Sequence, residues 1–337
     1  MSFPHPVPAP TNPLGVERRP GVYVAALLAL SVVGVLFCFV LADVYLHYRQ
    51  GINFSGYRGP PLGTKQHGEV RIAVVGGSTT WGYGLPWHQS FPAQLEGLLR
   101  KSTSKEVRVL NLGFNSEGAY SFRFTLEDYE HLGYDIVVIY SGYNDQAAEP
   151  NRSIFRRDSS IFSSTGYMPL LPSFVREKLE RLTAHYSGRP DKTVFVPPSA
   201  ANLTGKANDH VARTLSAQLG SFDKPALLAG DASSRSGCAQ RWAFYCQQIE
   251  GTIDFSLSRG KRVVVVTEPY IGSAYIDQQR ELAAMLARRY LNRADVRYLN
   301  LGKEIDLGDP ALCWDGMHLT AEGNRRIALA LEKFLDI

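Results

Sequence analysis

The chain has 337 residues, of which 45% are hydrophobic and 20% are charged, and this length is enough for one large core or two small ones. The formal net charge of +4 is small, and no basic run of the kind that follows a phosphate backbone is present. Composition and charge therefore argue against a nucleic-acid-binding protein.

The N-terminal region contains one stretch long enough to cross a membrane. Residues 1–20 are rich in proline, which predicts a disordered tail. Val22 to Ala42 follow without a charged residue, and about 20 apolar residues are enough to span a bilayer. We therefore predict a transmembrane helix over residues 21–42. Residues 43–69 are polar and rich in Gly and Pro, which indicates a juxtamembrane stalk or an edge wrapped on the following domain.

The charges around the apolar stretch predict its orientation. Arg18 and Arg19 precede it and Asp43 follows it, which places the tail in the cytoplasm and the rest of the chain outside the inner membrane. A cleaved signal peptide is the alternative, with Val40–Ala42 as a small-residue cleavage site. The apolar stretch exceeds the roughly 7–15 residues of such signals, which favours an uncleaved anchor.

From residue 70 onward, strand-like apolar runs alternate with amphipathic helix-like segments. Continuous β-branched runs are typical of strands buried on both faces of a parallel sheet, with helices covering the two faces. We expect a flavodoxin-like three-layer α/β/α domain over residues 70–337. Its five-stranded parallel sheet would consist of Arg71–Val75, Val107–Leu112, Asp135–Tyr140, Arg262–Thr267 and Val296–Leu301.

Helices are predicted between these strands from apolar periodicity and from residues that favour helix ends. Ser90 is expected to cap the first helix and Thr320 the last. Between these two, one helix covers residues 239–259 and stops at Gly260, and another spans Ile276–Tyr290.

The segment 146–237 does not follow this alternation. It is rich in Ser, Pro and Arg, shows no strong periodicity and is too long for a simple loop. It is predicted to be an insertion, either a cap over the functional site or a surface for a protein partner.

The exported part contains Cys238, Cys246 and Cys313, an odd number for an oxidising compartment. If residues 239–259 are helical, Cys238 and Cys246 lie about 12 Å apart along the axis, too far for a disulfide. At most one bond is expected, and free thiols are an equal alternative. No residue spacing suggests a metal site, and no cofactor is predicted.

The most informative motif is Gly77-Ser78, which follows the end of the first predicted strand. A serine hydroxyl is a poor nucleophile and needs a base, an orienting acid and donors for the oxyanion. Asp315 and His318 offer the acid and the base near the C-terminus, three residues apart. Gly113 and Asn144 follow the second and third strands and offer donors. Because the carboxyl ends of parallel strands share one edge, Ser78, Gly113 and Asn144 are expected to lie together.

This set of residues resembles the SGNH (GDSL-like) hydrolase family over roughly residues 70–337. Ser78, Gly113 and Asn144 match the residues of its first three blocks, and Asp315 and His318 match the Asp-x-x-His of its last block. Two departures occur: Gly77 replaces the usual Asp of the first block, and Ser116 stands where a further glycine often follows Gly113.

The resemblance implies a membrane-anchored serine esterase with the catalytic triad Ser78, His318 and Asp315, whose oxyanion is held by the Ser78 amide, the Gly113 amide and the Asn144 side chain. The expected substrate is an acyl ester, O-acetyl or similar, of a cell-envelope or polysaccharide molecule. An O-acyltransferase using the same triad and a non-catalytic membrane scaffold are the alternatives. For Glu268, at the end of the fourth strand, a pocket-lining role and a salt bridge are equally open.

Overall fold

A computed structural model describes residues 20–337 apart from 148, 173, 176–178 and 180–236. The predicted tail, except its last residue, and most of the predicted insertion lie outside the described residues. The helices are α1 (Pro20–Gln50), α2 (Ser78–Trp81), α3 (Phe91–Ser102), α4 (Ala119–Asp128), α5 (Ser160–Thr165), α6 (Ala243–Ser258), α7 (Ser273–Arg289) and α8 (Ala321–Phe334). The strands are β1 (Val70–Gly76), β2 (Val107–Asn111), β3 (Ile136–Ser141), β4 (Arg262–Thr267) and β5 (Val296–Asn300).

The five strands form one parallel sheet with the order β2-β1-β3-β4-β5, which confirms the predicted fold class. β1 lies between β2 and β3, and its Ile72 is in register with Val109 on one side and Ile136 on the other. The carboxyl ends of β1, β2 and β3 therefore meet at one edge of the sheet.

Each face of the sheet packs against its own set of helices. Ala73 and Val75 of β1 belong to a core shared with α4, α6 and α7. Ile72 and Val74 point to the opposite face, into a core shared with α3 and α8. Both faces are buried because the central strands β1, β3 and β4 are apolar at most positions, and this gives the three-layer arrangement.

The chain divides into two compact units, residues up to Val44 and Tyr45–Ile337. Among the described residues, one helical segment is long and apolar enough to span a membrane, Gly21–Gln50 of α1. The helix continues beyond the predicted boundary at residue 42. Residues 45–69 are part of the same compact unit as the sheet, where Arg58 forms antiparallel bridges with Ile52 and with Asn111 of β2.

Ser90 is the N-cap residue of α3, as predicted, but its hydroxyl donates to the Trp87 carbonyl at 2.7 Å, and Asn324 Oδ1 of α8 accepts from the Phe91 amide at 2.9 Å instead. The prediction that Cys238 and Cys246 lie too far apart for a disulfide is wrong. Cys238 and Cys246 form a disulfide with a Cα–Cα distance of 6.5 Å. The bond is possible because α6 begins at Ala243, so that Cys238 lies before the helix and not on its axis. The Thr320 cap is confirmed, since its hydroxyl accepts from the Gly323 amide.

Candidate active site

Ser78 lies on a tight turn between β1 and α2. A Cβ at Gly76 would overlap the Thr80 side chain and the Tyr140 carbonyl, so only glycine lets the strand end this close to its neighbour. Ser78 is the first residue of α2. Its amide therefore lies at a helix N-terminus, where backbone N–H groups lack partners within the helix and favour negative charge.

The structure brings Ser78, His318 and Asp315 into one hydrogen-bonded chain. Ser78 Oγ lies 2.9 Å from His318 Nε2, and His318 Nδ1 lies 2.6 Å from Asp315 Oδ2. Asp315 Oδ1 also accepts from the amides of Met317 at 3.0 Å and His318 at 2.6 Å. Burial opposes ionisation of Asp315, but the adjacent His318 and these hydrogen bonds outweigh it and lower the pKa of Asp315. The carboxylate is thus anionic and fixed toward the imidazole.

Two aromatic rings enclose the imidazole of His318. The Tyr83 ring centroid lies 4.4 Å from that of His318, and the Trp314 ring stacks on it at 5.6 Å. The His318 side chain is only 6% exposed. The rings hold the imidazole plane in place and exclude water from most of its surface.

Asn144 reaches the nucleophile turn across the space that Gly77 leaves open. A Cβ at Gly77 would overlap Asn144 Nδ2. The same Nδ2 donates to the Glu117 carbonyl at 2.8 Å, and an amide nitrogen carries two hydrogens. One hydrogen therefore anchors the side chain and the other is free to donate beside Ser78. Gly77, which stands where the family pattern usually has Asp, therefore leaves room for the Asn144 side chain.

Gly113 packs directly against the nucleophile helix. A Cβ there would lie 2.7 Å from Thr80 Cγ2 and 2.9 Å from the Trp81 amide nitrogen. The Gly113 amide donates to Asn111 Oδ1 at 3.2 Å. An oxyanion would therefore share this amide hydrogen with Asn111 Oδ1 or displace Asn111 Oδ1 from it. Among the described non-glycine residues, Ser116 alone has a positive φ, 64°. The second departure from the family pattern therefore occupies a backbone conformation that glycine adopts readily.

Two buried carboxyl groups lie next to the site. Glu268 makes no salt bridge among the described residues; its Oε1 accepts from the Thr79 hydroxyl at 2.8 Å, and its Oε2 is buried without a hydrogen-bond partner among them. Burial raises the pKa of Glu268 to about 8. Asp145 accepts from the Ala119 amide through both oxygens, and burial raises its pKa to about 7. Through Thr79, Glu268 supports the turn that holds Ser78.

Two buried arginines also support the site, and sequence reasoning missed both. Arg58 donates to the carbonyls of Trp81, Gly82 and Leu85, directly after α2. Arg156 donates to the carbonyls of Leu112 and Gly113. No signal could have found them, because each arginine binds carbonyls of segments distant in sequence and belongs to no motif. Among the described residues, no group of three or more His, Cys, Asp or Glu side chains is suited to hold a metal ion.

Comparison with known proteins gives similarities in structure only. No family model matches the chain, and no curated protein matches it in sequence. The solved structures that it resembles include a putative lipolytic protein of the G-D-S-L family from Desulfitobacterium hafniense (13% identity, 79% of this chain and 99% of that chain, TM-score 0.41). They also include a family 3 carbohydrate esterase from Clostridium thermocellum (14% identity, 79% and 94%, TM-score 0.40) and a GDSL-like lipase from Bacteroides thetaiotaomicron (14% identity, 81% and 91%, TM-score 0.42). At these identities and TM-scores, the similarities do not bear on activity.

Proposed function

We propose that the chain is an SGNH-type serine esterase that works through an acyl-enzyme on Ser78. The observation that supports this most is the continuous chain of hydrogen bonds from Ser78 Oγ through the His318 ring to Asp315. A serine, an imidazole and a carboxylate in this order, with the serine at a helix N-terminus, form the arrangement that activates a hydroxyl for acyl transfer.

The chemistry follows from the positions of these groups. Neutral His318 accepts the Ser78 proton on Nε2 while Ser78 Oγ attacks the ester carbonyl carbon. The resulting oxyanion is stabilised by the Ser78 amide and Asn144 Nδ2, and by the Gly113 amide if it leaves Asn111 Oδ1. His318 then returns the proton to the leaving alcohol, and the acyl group stays on Ser78. Asp315 holds the imidazole tautomer and stabilises the imidazolium throughout.

A second nucleophile then releases the acyl group, and its identity decides between two activities. Attack by water gives an esterase, and attack by a sugar hydroxyl gives an O-acyltransferase with the same triad. We propose hydrolysis of O-acetyl or similar esters on a cell-envelope or polysaccharide substrate. Incubation of the full chain with an acetylated polysaccharide and with p-nitrophenyl acetate tests this, with free acetate and transferred acetyl measured together. Free acetate without transfer supports the esterase, whereas transfer to sugar would replace it by the acyltransferase.

We also propose that α1 anchors the protein in the inner membrane, with residues 45–337 exported. The length and hydropathy of α1 support an anchor. The Cys238–Cys246 disulfide is consistent with an oxidising compartment outside the cytoplasm. Protease added to cells with a permeabilised outer envelope should digest the exported domain and spare the N-terminal tail. A mature N-terminus at Asp43, or a domain that is protected until the inner membrane is broken, would contradict the proposal.

A further inference from the structure

The loop of residues 112–117, called the oxyanion loop here, supplies two parts of the proposed oxyanion site. Gly113 carries one candidate amide donor. The Glu117 carbonyl accepts from Asn144 Nδ2 at 2.8 Å and so fixes the second donor. A small shift of this loop would move both donors relative to Ser78.

Arg156 binds the first end of the oxyanion loop. Its side chain is only 1% exposed, and its Nη2 donates to the carbonyls of Leu112 at 3.1 Å and Gly113 at 3.4 Å. Its Nε donates to the Gly56 carbonyl at 3.1 Å, so the loop is joined to the segment that follows α1. The fork of one guanidinium thus fixes two backbone segments at once.

The same guanidinium faces the other end of the loop. Arg156 Nη1 lies 3.6 Å from Glu117 Oε2, and the Glu117 side chain is 2% exposed. Glu117 is held in turn by the Ser121 hydroxyl at 3.1 Å and by the Phe155 amide at 3.2 Å. The guanidinium also lies over the Phe114 ring of the loop, 4.9 Å from its centroid. Arg156 therefore contacts the beginning, the middle and the end of residues 112–117.

We propose that Arg156 is a positioning residue that sets the oxyanion loop for the transition state, with Glu117 as its partner. The inference rests on the proposed esterase function. Arg156 does not touch the reacting atoms; it acts on the distance between Ser78 and the donors at Gly113 and Asn144. Donors placed for the transition state contribute to kcat rather than to substrate binding.

Arg156→Lys tests this in the full chain. Lysine keeps the positive charge, but its donors all radiate from one nitrogen and do not reproduce the separate contacts of Nε with Gly56 and of Nη2 with Leu112. We expect kcat for p-nitrophenyl acetate to fall about 10-fold or more, because displacing an oxyanion donor costs about that much or more, with KM nearly unchanged. Activity should fall at acid pH, where a protonated His318 cannot act as the base, and this fall should have the same midpoint in Arg156→Lys and in the wild type, because His318 and Asp315 are untouched.

The neighbouring Arg157 provides a matched control. It pairs with Glu127 at 2.8 Å and Asp128 at 2.8 Å, and its side chain is 33% exposed. Arg157→Lys makes the same chemical change one residue away, and kcat should stay at the wild-type value.

Glu117→Gln gives a second test if Arg156→Lys does not fold. It removes the charge opposite Arg156 in a side chain of nearly the same size, and kcat should fall several-fold with KM unchanged. Wild-type kcat in a folded variant, or a loss expressed only as higher KM, would overturn the positioning role. Such a result leaves the proposed function standing, because that function is tested separately, by ester hydrolysis and Ser78 labelling in the wild-type protein and their loss in Ser78→Ala.

Discussion

The triad side and the oxyanion side of the site differ in which residues hold them in place. Asp315 and His318 lie three residues apart on one loop and hydrogen-bond directly. Asn144 and Gly113, in contrast, are held by Glu117 and Arg156, on segments that form no part of the motif. The triad side is thus held by hydrogen bonds among Ser78, His318 and Asp315 themselves, whereas the oxyanion side depends on Glu117 and Arg156, outside the motif.

The largest expected effect is on the triad side. His318→Ala removes the base and should abolish nearly all activity. Asp315→Asn keeps the shape but favours the wrong tautomer, so kcat should fall by about 10⁴-fold. Steady-state kinetics of both single variants and the double variant measure this. The losses should not multiply, because the two residues act as one unit; strictly multiplicative losses would show that Asp315 is not coupled to His318.

An effect of intermediate size is expected on the oxyanion side. Asn144→Ala removes one donor and should lower kcat by about 10²- to 10³-fold, while the triad geometry remains. Asn300→Ala is a matched control, since Asn300 also ends a strand, and its Nδ2 donates to the Tyr270 hydroxyl rather than to the segment around Ser78. Equal kcat in the two variants would remove Asn144 from the site.

The sequence predicted the sheet well, for a physical reason. Strands such as Arg262–Thr267 carry an unbroken apolar run, Val263 to Val266, so their burial on both faces is visible in the sequence, and the structure has this strand at the same bounds. Ser78, Asp315 and His318 also meet as expected, although their catalytic role stays a prediction.

The sequence did not predict the support of the oxyanion side. Arg156 and Arg58 bind backbone carbonyls of distant segments, and a carbonyl carries no residue-specific signal. The disulfide was missed because the start of α6 was placed four residues too early, at residue 239 rather than Ala243. Errors of this size at a helix end decide whether Cys238 can reach Cys246.

A smaller effect is expected at Glu268, which accepts from the Thr79 hydroxyl beside Ser78. Burial raises its pKa from 4.5 to about 8, so the folded state binds a proton that the unfolded state releases. Its contribution to stability is complete below the unfolded pKa and is lost as pH rises toward about 8. Glu268→Gln should therefore weaken the decline in the free energy of unfolding across this range.

Urea denaturation at a series of pH values measures this effect. Exposed Glu304→Gln is the control and should leave the pH dependence as it is in the wild type. If Glu268→Gln also leaves the slope unchanged, Glu268 does not hold a proton in the folded state. It then accepts from the Thr79 hydroxyl as a carboxylate.

The smallest effect on catalysis is expected from the Cys238–Cys246 disulfide, which lies outside both sides of the site. Its two cysteines are 8 residues apart, and closing so short a loop stabilises a protein by roughly 2–3 kcal/mol. Cys238→Ser/Cys246→Ser should lower the free energy of unfolding by about that amount. kcat should remain at the wild-type value. A large loss of kcat would show that the disulfide helps to position the oxyanion side.

The central claim is that Ser78 is the nucleophile, activated by His318 and Asp315. The most direct measurement is covalent labelling of the full chain with a fluorophosphonate, followed by mass spectrometry of the modified peptide. The account predicts one label, on Ser78, and no label in a folded Ser78→Ala variant that has also lost ester hydrolysis. Labelling or hydrolysis that persists in Ser78→Ala would show that another residue performs the chemistry.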